Sequence, residues 1–316
     1  NCPLSNGAGN DAVSYCTMPA FELIAAPHSP FTPNGDLALE VVAKQAEHLQ
    51  TVGAHGVLIA GSTGEGSSLT GAERRALAER WTAVGDGLEV WVHVGHNSPR
   101  EAQSLAAHAA SIGAKGFCAA PPSWFALSAV DRLVDTCREI AEGAPDLPFL
   151  YYHIPALSHV NVPMVRFAEA ARSQIPNFHG IKYTHLDALD FQACVREHGA
   201  ALKLYWGCDE LLVTGLALGA SGAVGSTYNF ATPLYHRLIR AHQNGDIDTC
   251  RTLQSKAAEL VELLARHGYM AAAKATMKYL GIDVGAVRCP LPALPRGGEA
   301  QVFADLDRVG FKDLLP

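Results

Sequence analysis

Eight short β-rich apolar runs, each followed by a turn and a helical stretch, predict an α/β chain folded as a (β/α)8 TIM barrel. The eight repeats occupy roughly 210 residues, close to the usual barrel size of about 250. More helix follows the eighth run than one repeat requires, which predicts a C-terminal helical extension. The reading divides the chain into an N-terminal arm (1–20), a barrel core (21–230) and a C-terminal helical extension of the same domain (231–316).

The arm mixes Gly, Asn and Ser and lacks the charged start and apolar stretch of a secretory signal, and Met18 is an alternative start. The strand candidates are Phe21–Pro27, Gly56–Gly61, Val90–Gly95, Gly116–Ala120, Phe149–Ile154, His179–Thr184, Leu202–Gly207 and Ala223–Thr227. Helices between them open at Thr70-Gly71-Ala72-Glu73, Ser98-Pro99-Arg100-Glu101 and Ser128-Ala129-Val130-Asp131. In each, a hydroxyl caps the helix and an acid follows three residues on. The extension reads as helices from Thr232-Pro233 to Gln243, Ile247 to His267 and Met270 to Leu280.

Composition narrows the function. The chain is 48% hydrophobic and 17% charged, enough apolar side chain for a full core, and no apolar run reaches the ~20 residues of a membrane span. A net charge of -7 with no basic block excludes a nucleic-acid surface, though not a small anionic substrate held by local donors. Eight cysteines without a C-x-x-C pair, several in apolar stretches, predict buried thiols in a reducing, cytoplasmic compartment.

Barrel enzymes place their chemistry at the C-terminal ends of the strands. The second run ends in Gly61-Ser62-Thr63-Gly64-Glu65-Gly66, whose amides and hydroxyls suit a carboxylate or phosphate oxygen unless it is an ordinary turn. It lacks the Gly-Lys-Ser/Thr ending of a P-loop, and Gly219–Gly225 follows a helix and opens a strand, the reverse of a dinucleotide fingerprint. Alternation along the fifth run places Leu150, Tyr152 and Ile154 on one face and Tyr151 and His153 on the other. Along the sixth, Gly180, Lys182 and Thr184 share a face. A lysine rarely interrupts an apolar strand without a task. Desolvation disfavours an ammonium and leaves an amine able to form a Schiff base with a carbonyl, and Tyr152 on the next strand is the nearest general-base candidate. The alternative for Lys182 is a snorkelling side chain or a buried ion pair.

Four motifs carry a family resemblance: Gly61-Ser62-Thr63-Gly64-Glu65, Tyr152-His153-Ile154-Pro155-Ala156-Leu157, Gly180-Ile181-Lys182-Tyr183-Thr184 and Gly222-Ala223-Val224-Gly225-Ser226-Thr227-Tyr228-Asn229. They resemble the pyruvate-dependent class I aldolases of the dihydrodipicolinate synthase and N-acetylneuraminate lyase superfamily, most strongly its lyase branch, from Phe21 to about Leu280. The resemblance implies that Lys182 forms an imine with pyruvate, that Tyr152 moves the proton, and that Ser62 and Thr63 hold the pyruvate carboxylate. It further implies that Thr184, Gly207, Asp209, Glu210 and Ser226 contact the polyol of a sugar acid, without a metal or organic cofactor. A homo-oligomer, by family habit a homotetramer, is expected.

Two positions refine the resemblance. Synthases of the family carry an arginine shortly after the strand-five Tyr-x-x-Pro, and this chain has Ala156-Leu157-Ser158 there, with Arg166 too far along. Many members also send a tyrosine from the loop after strand four into a neighbouring subunit, where this chain has Pro121-Pro122-Ser123-Trp124-Phe125. Two competing readings use the same barrel. In the first, His93 and His96, with His55 and His153, serve a metal-dependent aldolase, although no H-x-H or H-E-x-x-H pairing is present. A non-catalytic barrel that senses a keto acid is the other.

Overall fold

The structure, a computed structural model, describes residues 21–125 and 127–315, so the proposed arm and start site lie outside the described residues. Eight strands run parallel and pair in sequence order into a closed barrel. They are β1 (Glu22–Ala25), β2 (Gly56–Ile59), β3 (Glu89–His93), β4 (Gly116–Ala119), β5 (Phe149–His153), β6 (Phe178–Tyr183), β7 (Lys203–Trp206) and β8 (Gly222–Gly225). Each matches a predicted apolar run.

Around them lie α1 (Val41–Thr51), α2 (Gly71–Val84), α3 (Pro99–Ser111), α4 (Val130–Ala141), the short α5 (Pro155–Ser158), α6 (Met164–Gln174), α7 (Ala188–His198), α8 (Leu212–Leu218) and α9 (Tyr228–Gln243). Three more, α10 (Ile247–Arg266), α11 (Tyr269–Tyr279) and α12 (Gly298–Arg308), complete the extension. Thr70 closes a full capping box with Glu73, and Ser98 accepts the Glu101 N–H ahead of Pro99. The third predicted cap is corrected: α4 starts one position later, with Ala129 in extended backbone and no side-chain cap. The buried stripe Leu133, Val134, Cys137, Ile140 and Ala141 sets that helix's phase, and Ser128 falls outside its first turn.

The predicted Thr232-Pro233 start matches the longer, second part of α9: the element begins earlier, at Tyr228, leaves helical geometry at Ala231 (φ -130°, ψ 20°), and resumes into Pro233, whose missing N–H suits the first turn of a helix. The division drawn after residue 230 therefore falls inside α9. Sequence reading gave no sign of α5 or α12.

Two apolar cores result. Ile24, Leu58, Trp91, Cys118, Leu150, Tyr152, Ile154, Tyr205 and Val224 fill the barrel interior, whereas Tyr151, Ile181, Tyr183 and Trp206 belong to the layer between sheet and helices. The alternation inferred for β5 and β6 is thus the observed one. Between β5 and β6 the register slips: Phe149 faces Phe178, but Leu150 faces Gly180, leaving His179 as an extra residue. This bulge lets Phe178 point outward while Gly180 and Lys182 point inward. At the N-terminal end, Glu22 accepts from Lys203 (2.6 Å) and from the Tyr205 hydroxyl (2.5 Å) and closes the barrel floor.

Candidate active site

Lys182 is only 5% exposed, paired in register with Tyr152 on β5 and Tyr205 on β7. Its Nζ lies 4.0 Å from the Tyr152 ring centroid, in cation–π range. Among the described residues the buried lysine that pairs with a carboxylate is Lys274, with Glu65, and Lys182 has no ion pair. The ion-pair alternative is thereby removed.

A cavity of about 240 Å³ opens above this pair and is lined by Thr63, Tyr152, Lys182, Thr184, Gly207, Asp209, Glu210 and Ser226. Ser62 is not in it. It is exposed and faces an adjoining recess of about 110 Å³ that also contains His93, Ile154 and Ser158. The turn's two hydroxyl residues therefore line different recesses.

The β7–β8 wall is built around Asp209, which is 4% exposed. Its Oδ2 accepts the Thr227 N–H (2.8 Å) and the Thr227 hydroxyl (2.7 Å), and the Tyr235 hydroxyl stands 2.7 Å from the same Thr227 oxygen. Oδ1 is buried without a partner. Burial pushes the carboxyl up to about 6, against the pull of both Thr227 bonds. A Cβ at Gly225 would overlap this carboxylate, and one at Gly207 would overlap the Thr184 hydroxyl, so glycine is required at both places. Thr184 Oγ1 is likewise buried without a partner beside the cavity. Unpaired buried acceptors and hydroxyls in a cavity wall are suited to binding a polyhydroxylated ligand.

Sequence reasoning missed Tyr269 and Val261, which the extension contributes to the same cavity. The Tyr269 and Ser226 hydroxyls lie 2.6 Å apart. The available signal was the break at His267-Gly268 between two long helices, which sets Tyr269 at a helix start.

The histidines do not converge. His93 packs edge-on against Tyr152, with centroids 5.9 Å apart, accepts the Ala120 N–H at Nε2 (3.2 Å), and is held neutral by burial and by the nearby Arg74 and Lys182 charges. His153 points away from the cavity onto Tyr183, and burial lowers it to about 3. No group of three or more metal-ligating side chains occurs among the described residues. On the loop after β4, the Asn97 side-chain oxygen accepts the Ser123 and Trp124 N–H groups (2.9 and 3.1 Å), while Trp124 and Phe125 are 81% and 79% exposed. Arg166 lies on α6, paired with Glu169 at 3.4 Å, and does not line the cavity.

Residues 20–308 match the dihydrodipicolinate synthetase family. The chain belongs to this family. It is similar to the N-acetylneuraminate lyase of Rattus norvegicus, 35% identical over 295 residues that cover 92% of each chain. Its similarity to the N-acetylneuraminate lyase of Homo sapiens is 35% identity over 302 residues, covering 92% of this chain and 94% of that one. Among solved structures, Proteus mirabilis N-acetylneuraminate lyase matches with a TM-score of 0.90 at 38% identity, covering 92% of this chain and 99% of the other. No helix among the described residues is long and apolar enough to cross a membrane.

Proposed function

We propose that this chain is a Schiff-base aldolase that cleaves N-acetylneuraminate reversibly to N-acetylmannosamine and pyruvate. The observation that carries the reading is Lys182: buried, free of any ion pair among the described residues, and set against Tyr152 beneath a cavity walled by acids and hydroxyls. Similarity to lyases over most of the chain supports the choice of sugar acid.

The Lys182 amine adds to the keto carbon of the open-chain substrate, and loss of water gives a protonated imine. That cation withdraws electrons, so the bond one carbon away breaks as Tyr152 takes the proton of the departing hydroxyl. An aldehyde leaves and an enamine remains on Lys182. Tyr152 returns the proton to the enamine carbon, and water then frees pyruvate and the amine. The Thr63 hydroxyl holds the carboxylate together with the backbone amides of the 62–63 turn, Ser62 contributing its N–H and not its side chain, while Thr184, Gly207, Asp209, Glu210 and Ser226 receive the polyol. Because the imine is the electron sink, the scheme calls for no metal or organic cofactor.

The proposed assembly is a homotetramer, with exposed Trp124 and Phe125 standing where the family resemblance implies a tyrosine that reaches a neighbour. Five buried free cysteines, at 118, 137, 194, 208 and 250, suit a reducing, cytoplasmic setting.

The test has two arms. The purified protein should release pyruvate and N-acetylmannosamine from N-acetylneuraminate. Borohydride with pyruvate should fix a reduced pyruvyl group on Lys182, seen as a tryptic peptide spanning residues 173–196 because the modified lysine resists cleavage. Labelling at another lysine, or none in active enzyme, rejects the mechanism.

A further inference from the structure

The turn that carries Ser62 and Thr63 is anchored from outside the barrel. Glu65, at its end, is 4% exposed and adopts a left-handed backbone (φ 52°, ψ 32°), a conformation that favours glycine. Glycine there would relieve the backbone. What glycine lacks is the carboxylate, whose Oε1 lies 2.7 Å from Lys274 Nζ and whose Oε2 accepts the Arg288 backbone N–H at 2.8 Å. Lys274 belongs to α11 and also donates to the Ser29 and Ala286 carbonyls, both at 2.9 Å. From the β1 side, the Ser29 hydroxyl donates to the Gly64 carbonyl at 2.6 Å.

The pair is wholly interior, with side-chain exposures of 1% and 0% for Lys274 and Glu65. A buried ion pair adds little net stability compared with apolar side chains of the same volume, so stability alone does not account for it. Its geometric effect is specific. The ammonium ties together the segment after β1, the end of the donor turn and the strap at 286–288, and so fixes the direction in which the turn's amides and hydroxyls point.

We infer that Glu65 and Lys274 are positioning residues that set the capture of the keto-acid carboxylate by the 61–64 turn, which makes α11 part of the machinery for substrate affinity. This rests on the reading of Ser62 and Thr63 as carboxylate donors. The pair touches no substrate. It acts by holding a donor array in its working shape, an arrangement in which small displacements carry large costs.

The test compares borohydride inactivation of the full chain by pyruvate with inactivation by acetaldehyde, a carbonyl without a carboxylate. In Glu65→Gln, Lys274→Met and the double variant, the pyruvate concentration giving half-maximal inactivation should rise by about tenfold, the scale of a lost charge-assisted contact, while acetaldehyde trapping stays within about twofold of wild type. Breaking one member of a buried pair can unfold a protein. Ser29→Ala removes one hydrogen bond to the same turn and no charge, and should raise the pyruvate value by about threefold with acetaldehyde unaffected. Thr63→Val reports separately on the carboxylate donors. If it leaves the pyruvate value unchanged, the donor reading fails and takes the inference with it. A raised value in Thr63→Val with wild-type values in folded Glu65, Lys274 and Ser29 variants overturns the positioning role alone. Equal losses toward pyruvate and acetaldehyde overturn it too, by assigning the pair to general folding.

Discussion

Lys182 Nζ rests 4.0 Å from the centre of the Tyr152 ring, and the two residues are direct partners in the β5–β6 ladder. Their separation is set by backbone hydrogen bonds between strands, the least adjustable part of a barrel. The proposed nucleophile and the proposed proton carrier thus form a rigid unit, with specificity left to the loops around it.

Tyr152→Phe should fold and lower kcat by roughly 10²–10⁴-fold, the contribution of a positioned acid–base group. Tyr151→Phe is the control. The Tyr151 ring packs on Phe167 (centroids 4.5 Å apart) outside the barrel, and its hydroxyl is buried without a partner. Its removal should leave turnover unchanged and raise stability by about 1 kcal/mol. Steady-state kinetics with thermal melts checks both, and a Tyr151→Phe collapse in an intact fold contradicts the assignment.

Asp209 should give kcat/KM an acid limb near pH 6, where protonation of its carboxyl removes an acceptor from the cavity. Asp209→Asn should lower the plateau and abolish the limb. The stability sign follows from the same shift: burial raises the folded value from 3.8 to about 6, so the contribution is complete below pH about 4 and is lost as pH rises through about 6. Melting temperatures across that window should move in favour of the Asn variant as pH increases.

Gly225→Ala should displace Asp209, because the new methyl occupies the space of its carboxylate. Activity on the sugar acid should fall by about tenfold or more, the scale of one lost charge-assisted contact. Pyruvate trapping at Lys182 should be little changed. Parallel loss of both measurements would place the damage in the fold.

Activity should survive exhaustive chelation, since the imine supplies the electron withdrawal that a metal provides in other aldolases. Comparing the rates before and after treatment checks this. A loss that zinc restores would transfer the chemistry to the histidines.

The fold was legible because each buried strand is a short apolar run between turn residues, and Lys182 was legible because it interrupts one of them. Tyr152 could be told from Tyr151 by alternation alone. The break at His267-Gly268 marks Tyr269 as a helix start, but its place in the site was not readable, because it reaches Ser226 only through packing of the extension over the barrel. Nor was the parting of Ser62 from Thr63, which depends on the conformation of a tight turn ending in left-handed Glu65. α12 carries few core side chains, with Val302 and Leu306 its buried apolar residues, too weak a pattern to stand out.

The extra residue at His179 makes the proposed mechanism depend on a count as well as on chemistry. Phe178 and Lys182 have the same parity in the sequence, yet they face opposite sides of the sheet because the ladder skips one residue between them. Deleting His179 would leave every other side chain in place by name and rotate either the aromatic or the nucleophile to the wrong side. A mutational survey confined to substitutions would probe only the stacking of the His179 ring on Trp91 and never meet that constraint. A single-codon deletion would meet it at once.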